Sequence, residues 1–287
     1  MRILCYLCRK FREFMNLKVI AYARNGHTDK FGIPRQSRDE SPIVTRIVFE
    51  PEYSVREALR GIEGFSHLWL VWGFSEITRS RDHVTTIEDE TAPLKDWSPT
   101  VRPPRLGGNK RMGVFATRSP FRPNPIGISS VRLLGVKENE ITRSRDHVTT
   151  TARKAIELLV SGADLMDGTP IYDIKPYLSF SDSHPEAVNG FAEETKDYKL
   201  QVAWDKGEGS PRVAEDTEYC LGLTRRDLDM IPTEVRRDIE YILSQDPRPA
   251  YQDDPEREYK FEYAGWTVTF CVKGQSIFVK KAQKRTF

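Results

Sequence analysis

Apolar residues along this chain come in short runs broken by glycine, proline and charge, the pattern of strands joined by rigid loops. Leu17 to Tyr22 and Ile43 to Phe49 read as strands, with Met15 opening the first of them. A capping box at Ser54-Val55-Arg56-Glu57, followed by apolar Ala58 and Leu59, predicts a short helix stopped by Gly61. Phe65 to Phe74 is nearly all apolar, as in a strand buried on both faces, so His67 within it reads as a hydrogen-bonded core histidine. Val114 with Phe115, Ile128 to Leu134, Ile156 to Val160 and Ile171 to Tyr177 give further strands. Beyond about residue 190 the character changes. Leu200 to Trp204 is a strand, and Val235, Ile239, Ile242 and Leu243 form a helical stripe stopped at Asp246-Pro247. Trp266, Val268, Phe270 and Val272 then alternate with Thr267, Thr269 and Cys271. A turn at Lys273-Gly274-Gln275 leads to a last strand, Ile277 to Lys280. The pattern predicts a mainly β chain that ends in a small α+β domain over residues 191–287.

The loops carry the chemistry. Gly113 to Gly127 holds three prolines, Arg118, Arg122 and Asn124 within a few positions, which excludes a helix interior and stiffens the chain. A stiff loop loses little entropy on binding, so it suits recognition; a surface loop of salt-bridged arginines is the plainer alternative. Gly26 to Gln36 is a second such loop, ending in Pro34-Arg35-Gln36, and Gln245 to Tyr251 a third, holding Arg248 and Tyr251. Between Gly162 and Pro170, Asp164 and Asp167 flank Leu165 and Met166 in a tight turn. That turn reads as Asx chemistry, as hydroxyl binding, or as a base.

Charge narrows the partners. The whole chain carries only +2, from 44 basic and 42 acidic residues, so net charge announces nothing. From Pro99 to Arg122, however, Arg102, Arg105, Lys110, Arg111, Arg118 and Arg122 stand without any acid, a local footprint for phosphate. No apolar run approaches the length that spans a bilayer, and the four cysteines form neither a disulfide framework nor a second metal-ligand pair beside Cys5-x-x-Cys8. No metal is expected. Met1 to Phe14, basic and without a signal-peptide core, reads as a leader or tail of a cytoplasmic protein. Glu76 to Thr86 recurs letter for letter as Glu140 to Thr150, an identity that structural repetition does not produce. Both copies fall in expected connections and receive no functional role.

Taken in order, Lys30 to Gln36, Phe65 to Trp69, Arg105 to Asn109, Gly113 to Gly127, Asp164 to Asp173 and Gln245 to Tyr251 resemble one family. It is the tRNA adenine-N6 methyltransferase family called TsaA-like or TrmO, and the likeness runs from Met15 to the C-terminus. The resemblance implies a β-barrel domain over residues 15–190 that binds S-adenosyl-L-methionine in place of a Rossmann sheet, and a homodimer. It implies methylation of N6 of the threonylcarbamoyl-adenosine beside the tRNA anticodon. The implied cofactor residues are Pro34, Arg35, Gln36, Ser75, Glu76, Arg118, Ile128, Asp164, Leu165, Met166 and Asp167. The RNA surface is expected at Arg102, Arg105, Lys110, Arg111, Arg122, Arg248 and Tyr251. The residue types agree with the cofactor: an arginine fork suits its carboxylate, and aspartate suits ribose hydroxyls or an ammonium. No glycine-rich dinucleotide fingerprint follows a strand, since Gly207-Glu208-Gly209 opens no helix. No catalytic residue identifies itself. The alternatives are a non-catalytic tRNA- or small-ligand-binding barrel and a methyltransferase acting on a small molecule.

Overall fold

The structure, a computed structural model, describes residues 17–74, 97–103, 110–141, 153–204, 223, 225–248 and 254–285. Its strands are β1 (Ala21–Arg24), β2 (Val44–Phe49), β3 (His67–Gly73), β4 (Thr100–Val101), β5 (Met112–Gly113) and β6 (Ile126–Ile141). They continue as β7 (Arg153–Ser161), β8 (Pro170–Pro176), β9 (Gln201–Ala203), β10 (Tyr259–Tyr263), β11 (Trp266–Lys273) and β12 (Ser276–Lys284). One longer helix, α1, covers Thr233–Ser244.

Six strands form an antiparallel sheet in the order β1-β2-β7-β6-β3-β8, and β8 pairs back onto β1, so the sheet closes on itself. Period-two alternation decides what fills it. Leu68, Leu70 and Trp72 of β3 point inward and are buried, as are Val131 of β6, Leu158 and Val160 of β7, and Ile47 of β2. His67, Trp69 and Val71 lie on the other face and are only partly buried. The apolar run of β3 is therefore buried on one face, not two. His67 is a half-buried outer residue bonded to Asp39 and Ser66.

A second sheet, β10-β11-β12-β9, packs against α1. Ile239, Ile242 and Leu243 of α1 meet Phe261, Val268, Phe270 and Ile277 in one core. Ile43 and Phe31 enter that core from the first half of the chain. Two glycines permit the close approach: a Cβ on Gly26 would lie 2.8 Å from the Tyr263 ring, and one on Gly32 2.9 Å from Phe261. Ala264 N donates to Gly26 O (3.0 Å) across the same seam.

Several local expectations shift. Ser54 caps no helix: its Oγ accepts from Ile156 N (2.9 Å), and the turn that follows is a 3-10 segment, Arg56–Leu59, without a side-chain cap. Val114–Ala116 is also a 3-10 turn, because the strand before it, β5, stops at Gly113. β6 runs to Ile141, so the second copy of the repeated segment begins inside a strand. The rest of that copy, the whole of the first copy and residues 1–16 lie outside the described residues. β10 had no counterpart in the sequence reading, although Tyr259, Phe261 and Tyr263 alternate with Lys260 and Glu262 as in a half-buried strand.

Candidate functional site

Gly127 lies opposite Trp72 in the β3–β6 register, and a Cβ there would stand 2.3 Å from the indole ring. The space left by that missing side chain seats the indole so that Trp72 Nε1 donates to Ser129 Oγ (2.9 Å). Ser129 Oγ in turn donates to Asp164 Oδ1, just beyond the end of β7. Gly127→Ala is therefore expected to lower stability by about 1–2 kcal/mol, the cost of forcing extra volume into a packed site. A thermal melt with tryptophan fluorescence checks it.

Three segments converge on Asp164. The turn Gly162 to Thr169 carries it, with Gly162 at φ +85° and no room for a Cβ against Arg38 O at 2.7 Å. Ser37, from the loop that holds Pro34, Arg35 and Gln36, bonds the carboxylate through its backbone amide. Arg118 acts on it by charge and donates to Gln36 Oε1 (2.6 Å). Burial pushes the Asp164 carboxyl above its ordinary range, while the bonds from Ser129 and Ser37 and the Arg118 charge pull the other way. Arg118 itself is exposed, and a guanidinium has five donors, so the bond to Gln36 leaves others to offer.

Around the same turn, Leu165 is buried in the core and gives its carbonyl to Asn25 Nδ2 (2.9 Å). Met166 O accepts from Thr169 Oγ1 (2.8 Å). Asp167 accepts from Asn25 N (3.1 Å) and Arg24 Nη1 (3.4 Å). Pro34 is buried, and Arg35 donates to Arg248 O (2.6 Å) across to the C-terminal half. Ile128, 49% exposed, lies on the opposite face of β6 from its neighbour Ser129. Ser75 and Glu76 lie outside the described residues. Gln36, Arg118, Asp164 and Asp167 thus come from three loops that meet at one turn; Arg35 is tied to Arg248 O and Ile128 lies on the outer face of β6.

The residues expected to meet RNA divide in two. Arg102, Lys110 and Arg111 are exposed beside the small β4–β5 sheet, and Arg111 Nη1 donates to Thr100 Oγ1 (2.9 Å). Arg122 instead braces its own loop, donating to Val114 O (3.1 Å) and Thr117 O (2.7 Å). Arg248 is buried in a two-pronged pair with Asp246 (2.9 and 3.1 Å). Arg105 and Tyr251 lie outside the described residues.

Sequence reasoning missed Ser129, Trp72 and Asn25. Alternation along Ile128 to Leu134 puts Ser129 inward among apolar neighbours, a signal that was available. It also missed a clamp in which Arg132 Nε donates to Asp39 Oδ1 (2.7 Å) and His67 Nε2 lies 3.0 Å from the same oxygen. Arg132 and His67 hold the Asp39 carboxyl down to about 2 and tie the Pro34 to Glu40 loop to β3 and β6. Among the described residues no group of three His, Cys, Asp or Glu side chains is placed to hold a metal ion, and no helix is long and apolar enough to cross a membrane.

An exposed arginine, a buried carboxyl and a set of turn carbonyls match the donor set of an amino-acid-bearing nucleoside such as S-adenosylmethionine, with its carboxylate, ammonium and ribose hydroxyls. Comparison with known proteins points the same way. The model of the tRNA-methyltransferase O N-terminal domain matches residues 22–183, and that of the TrmO C-terminal domain matches residues 221–285. A tRNA (adenine(37)-N6)-methyltransferase of Escherichia coli is 37% identical over 254 residues, covering 88% of this chain and 90% of its own. One from Eikenella corrodens is 38% identical, covering 74% of this chain and 94% of its own. A crystal structure of TrmO from P. aeruginosa superposes with a TM-score of 0.62 at 28% identity, over 94% of this chain and 96% of that one. The chain belongs to the tRNA-methyltransferase O family.

Proposed function

We propose that this protein is an S-adenosylmethionine-dependent tRNA methyltransferase that methylates N6 of threonylcarbamoyl-adenosine beside the anticodon, working in the cytoplasm as a homodimer. The observation that carries the reading is the convergence of Gln36, Arg118 and Asp164 from three separate loops onto one turn. Residues 15–190 form the donor-binding barrel domain in this reading, and 191–287 a smaller α+β domain. Pro34 to Gln36, Arg118 and the Asp164 to Asp167 turn hold the cofactor, with Ser75, Glu76 and Ile128 completing its surroundings. When bound, the cofactor supplies an electrophilic methyl group on a sulfonium centre. Arg118 pairs with its carboxylate; Asp164 and Asp167 accept from its hydroxyl or ammonium groups. Trp72 and Ser129 fix the Asp164 oxygen and exclude water from behind it. Orientation of a weak nitrogen nucleophile against the methyl group supplies much of the barrier reduction, so fixed loops matter more than a strong base. Calorimetric titration with S-adenosylmethionine tests the site: saturable binding is expected, and no heat from folded protein contradicts it.

A tRNA substrate is favoured over a small molecule by the acid-free stretch with exposed Arg102, Lys110 and Arg111. Arg105, Arg122, Arg248 and Tyr251 complete the expected RNA surface, Arg122 and Arg248 as braces of the loops that present it. Each phosphate contact releases counterions, so Lys110→Ala/Arg111→Ala is expected to weaken tRNA binding and reduce the slope of log K against log[salt] by about 0.7–0.9 per lost contact. Cofactor affinity should stay near wild type. Binding measured at several salt concentrations, with a thermal melt alongside, checks this; an unaltered slope removes these two residues from the RNA path.

A further inference from the structure

Phe115 is 76% exposed although several hydrogen bonds anchor the turn that carries it. Its neighbour Val114 is fully buried, and Val114 N donates to Pro99 O (3.0 Å). Thr117 and Arg122 both donate to Val114 O, closing the turn from the other side (2.8 and 3.1 Å). Ser98 N donates to Phe121 O (3.0 Å), tying the far end of the loop to the same segment. The turn that carries the phenyl ring is therefore anchored, and among the described residues nothing uses the ring for burial. Among the described residues its aromatic neighbour is Trp97, nearly parallel at 25° with ring centroids 6.4 Å apart. That leaves most of the phenyl surface facing solvent.

Charge selects the occupant. Arg102, Lys110, Arg111 and Arg118 are all exposed within the same acid-free stretch, and Arg111 is held against Thr100 on the adjoining strand β4. A flat exposed ring on a segment whose exposed charges are all cations fits an unpaired nucleobase with phosphates on either side. An acidic partner protein would meet the cations but gain nothing specific from a single ring stacked on an indole. We infer that Phe115, backed by Trp97, is a stacking platform for an unpaired base of the RNA substrate and positions the strand between the basic stretch and Arg118. This rests on the reading of the protein as a tRNA methyltransferase.

Stacking and phosphate contacts differ in their salt signatures, and that separates this role from those of the neighbouring cations. Phe115→Ala is expected to weaken tRNA binding about 5- to 150-fold, the loss of one base–aromatic stack. It should leave the salt slope at its wild-type value, because no counterion is displaced by a phenyl ring. Phe115→Tyr, which keeps the ring, should restore affinity to near wild type, and both variants should bind S-adenosylmethionine normally. Sedimentation at matched concentration reports on the assembly in the same samples. Unchanged tRNA affinity in Phe115→Ala overturns the inference. So does a loss that appears equally in S-adenosylmethionine affinity, which would place the ring over the donor, or a change in sedimentation, which would assign it to a contact between copies. Wild-type protein that fails to bind tRNA would overturn the underlying reading instead, before the variants are compared.

Discussion

Arg118→Ala is expected to weaken S-adenosylmethionine binding by about 1.5–3 kcal/mol, the range for a hydrogen bond to a charged group. That is roughly a 10- to 150-fold rise in Kd. The guanidinium is exposed and its bond is to Gln36, another loop side chain, so its removal takes nothing from either core. It also removes the charge that draws the Asp164 carboxyl down. Asp164 should then titrate still higher, so the fall in residual affinity as the carboxyl protonates should set in at a higher pH than in the wild type. Calorimetry at two pH values with a melt as control gives both results. Wild-type affinity in folded Arg118→Ala contradicts the assignment.

Acid is expected to destabilise the protein through His27 by about 3 kcal/mol between about pH 6.5 and 4. The ring is 1% exposed, packs edge-on against Tyr263 at 5.1 Å, and neither ring nitrogen has a hydrogen-bond partner among the described residues. Burial alone lowers its pKa to about 4. The unfolded chain takes up this proton as pH falls through about 6.5, whereas the folded chain resists until about 4. Stability is therefore lost across that window and the loss levels off below it. Two carboxyls behave differently. Asp39, held to about 2, is lost as a stabilising group only at lower pH. Asp164, raised by burial, works in the opposite direction, since its protonation favours the folded state. His27→Phe isolates the histidine: the difference between its urea-derived stability and that of wild type should grow in the variant's favour from pH 7 to pH 4.5. Parallel pH profiles would show that His27 does not resist protonation in the fold. Because His27 O accepts from Asp167 N (2.9 Å), the same acid step is expected to loosen the turn that carries the candidate aspartates.

The strands of the closed sheet were legible as short apolar runs bounded by glycine, proline and charge, although such a run did not show that β3 is buried on one face only, and the Asp164 turn was legible from its glycines and paired aspartates. The rigidity of Gly113 to Gly127 was legible from its prolines. What those arginines do was not, because a proline-locked loop leaves open whether an arginine points out, as Arg118 does, or back onto Val114 O and Thr117 O, as Arg122 does. Arg248 shows the same ambiguity, resolved by Asp246 two residues away. Trp72, the Gly127–Ser129 segment and Asp164 lie far apart in sequence, and only strand register brings them into one line. The capping box at Ser54 failed for a similar reason: a tertiary donor, Ile156 N, took the hydroxyl that the local pattern assigned to a helix.

The most direct test of the central claim is mass spectrometry of nucleosides from tRNA that carries threonylcarbamoyl-adenosine, after incubation with this protein and S-adenosylmethionine. This nucleoside is expected to gain one methyl group on the base nitrogen only when both protein and cofactor are present, and Arg118→Ala is expected to slow the gain. Threonylcarbamoyl-adenosine recovered unmethylated from protein that binds both tRNA and cofactor would contradict it.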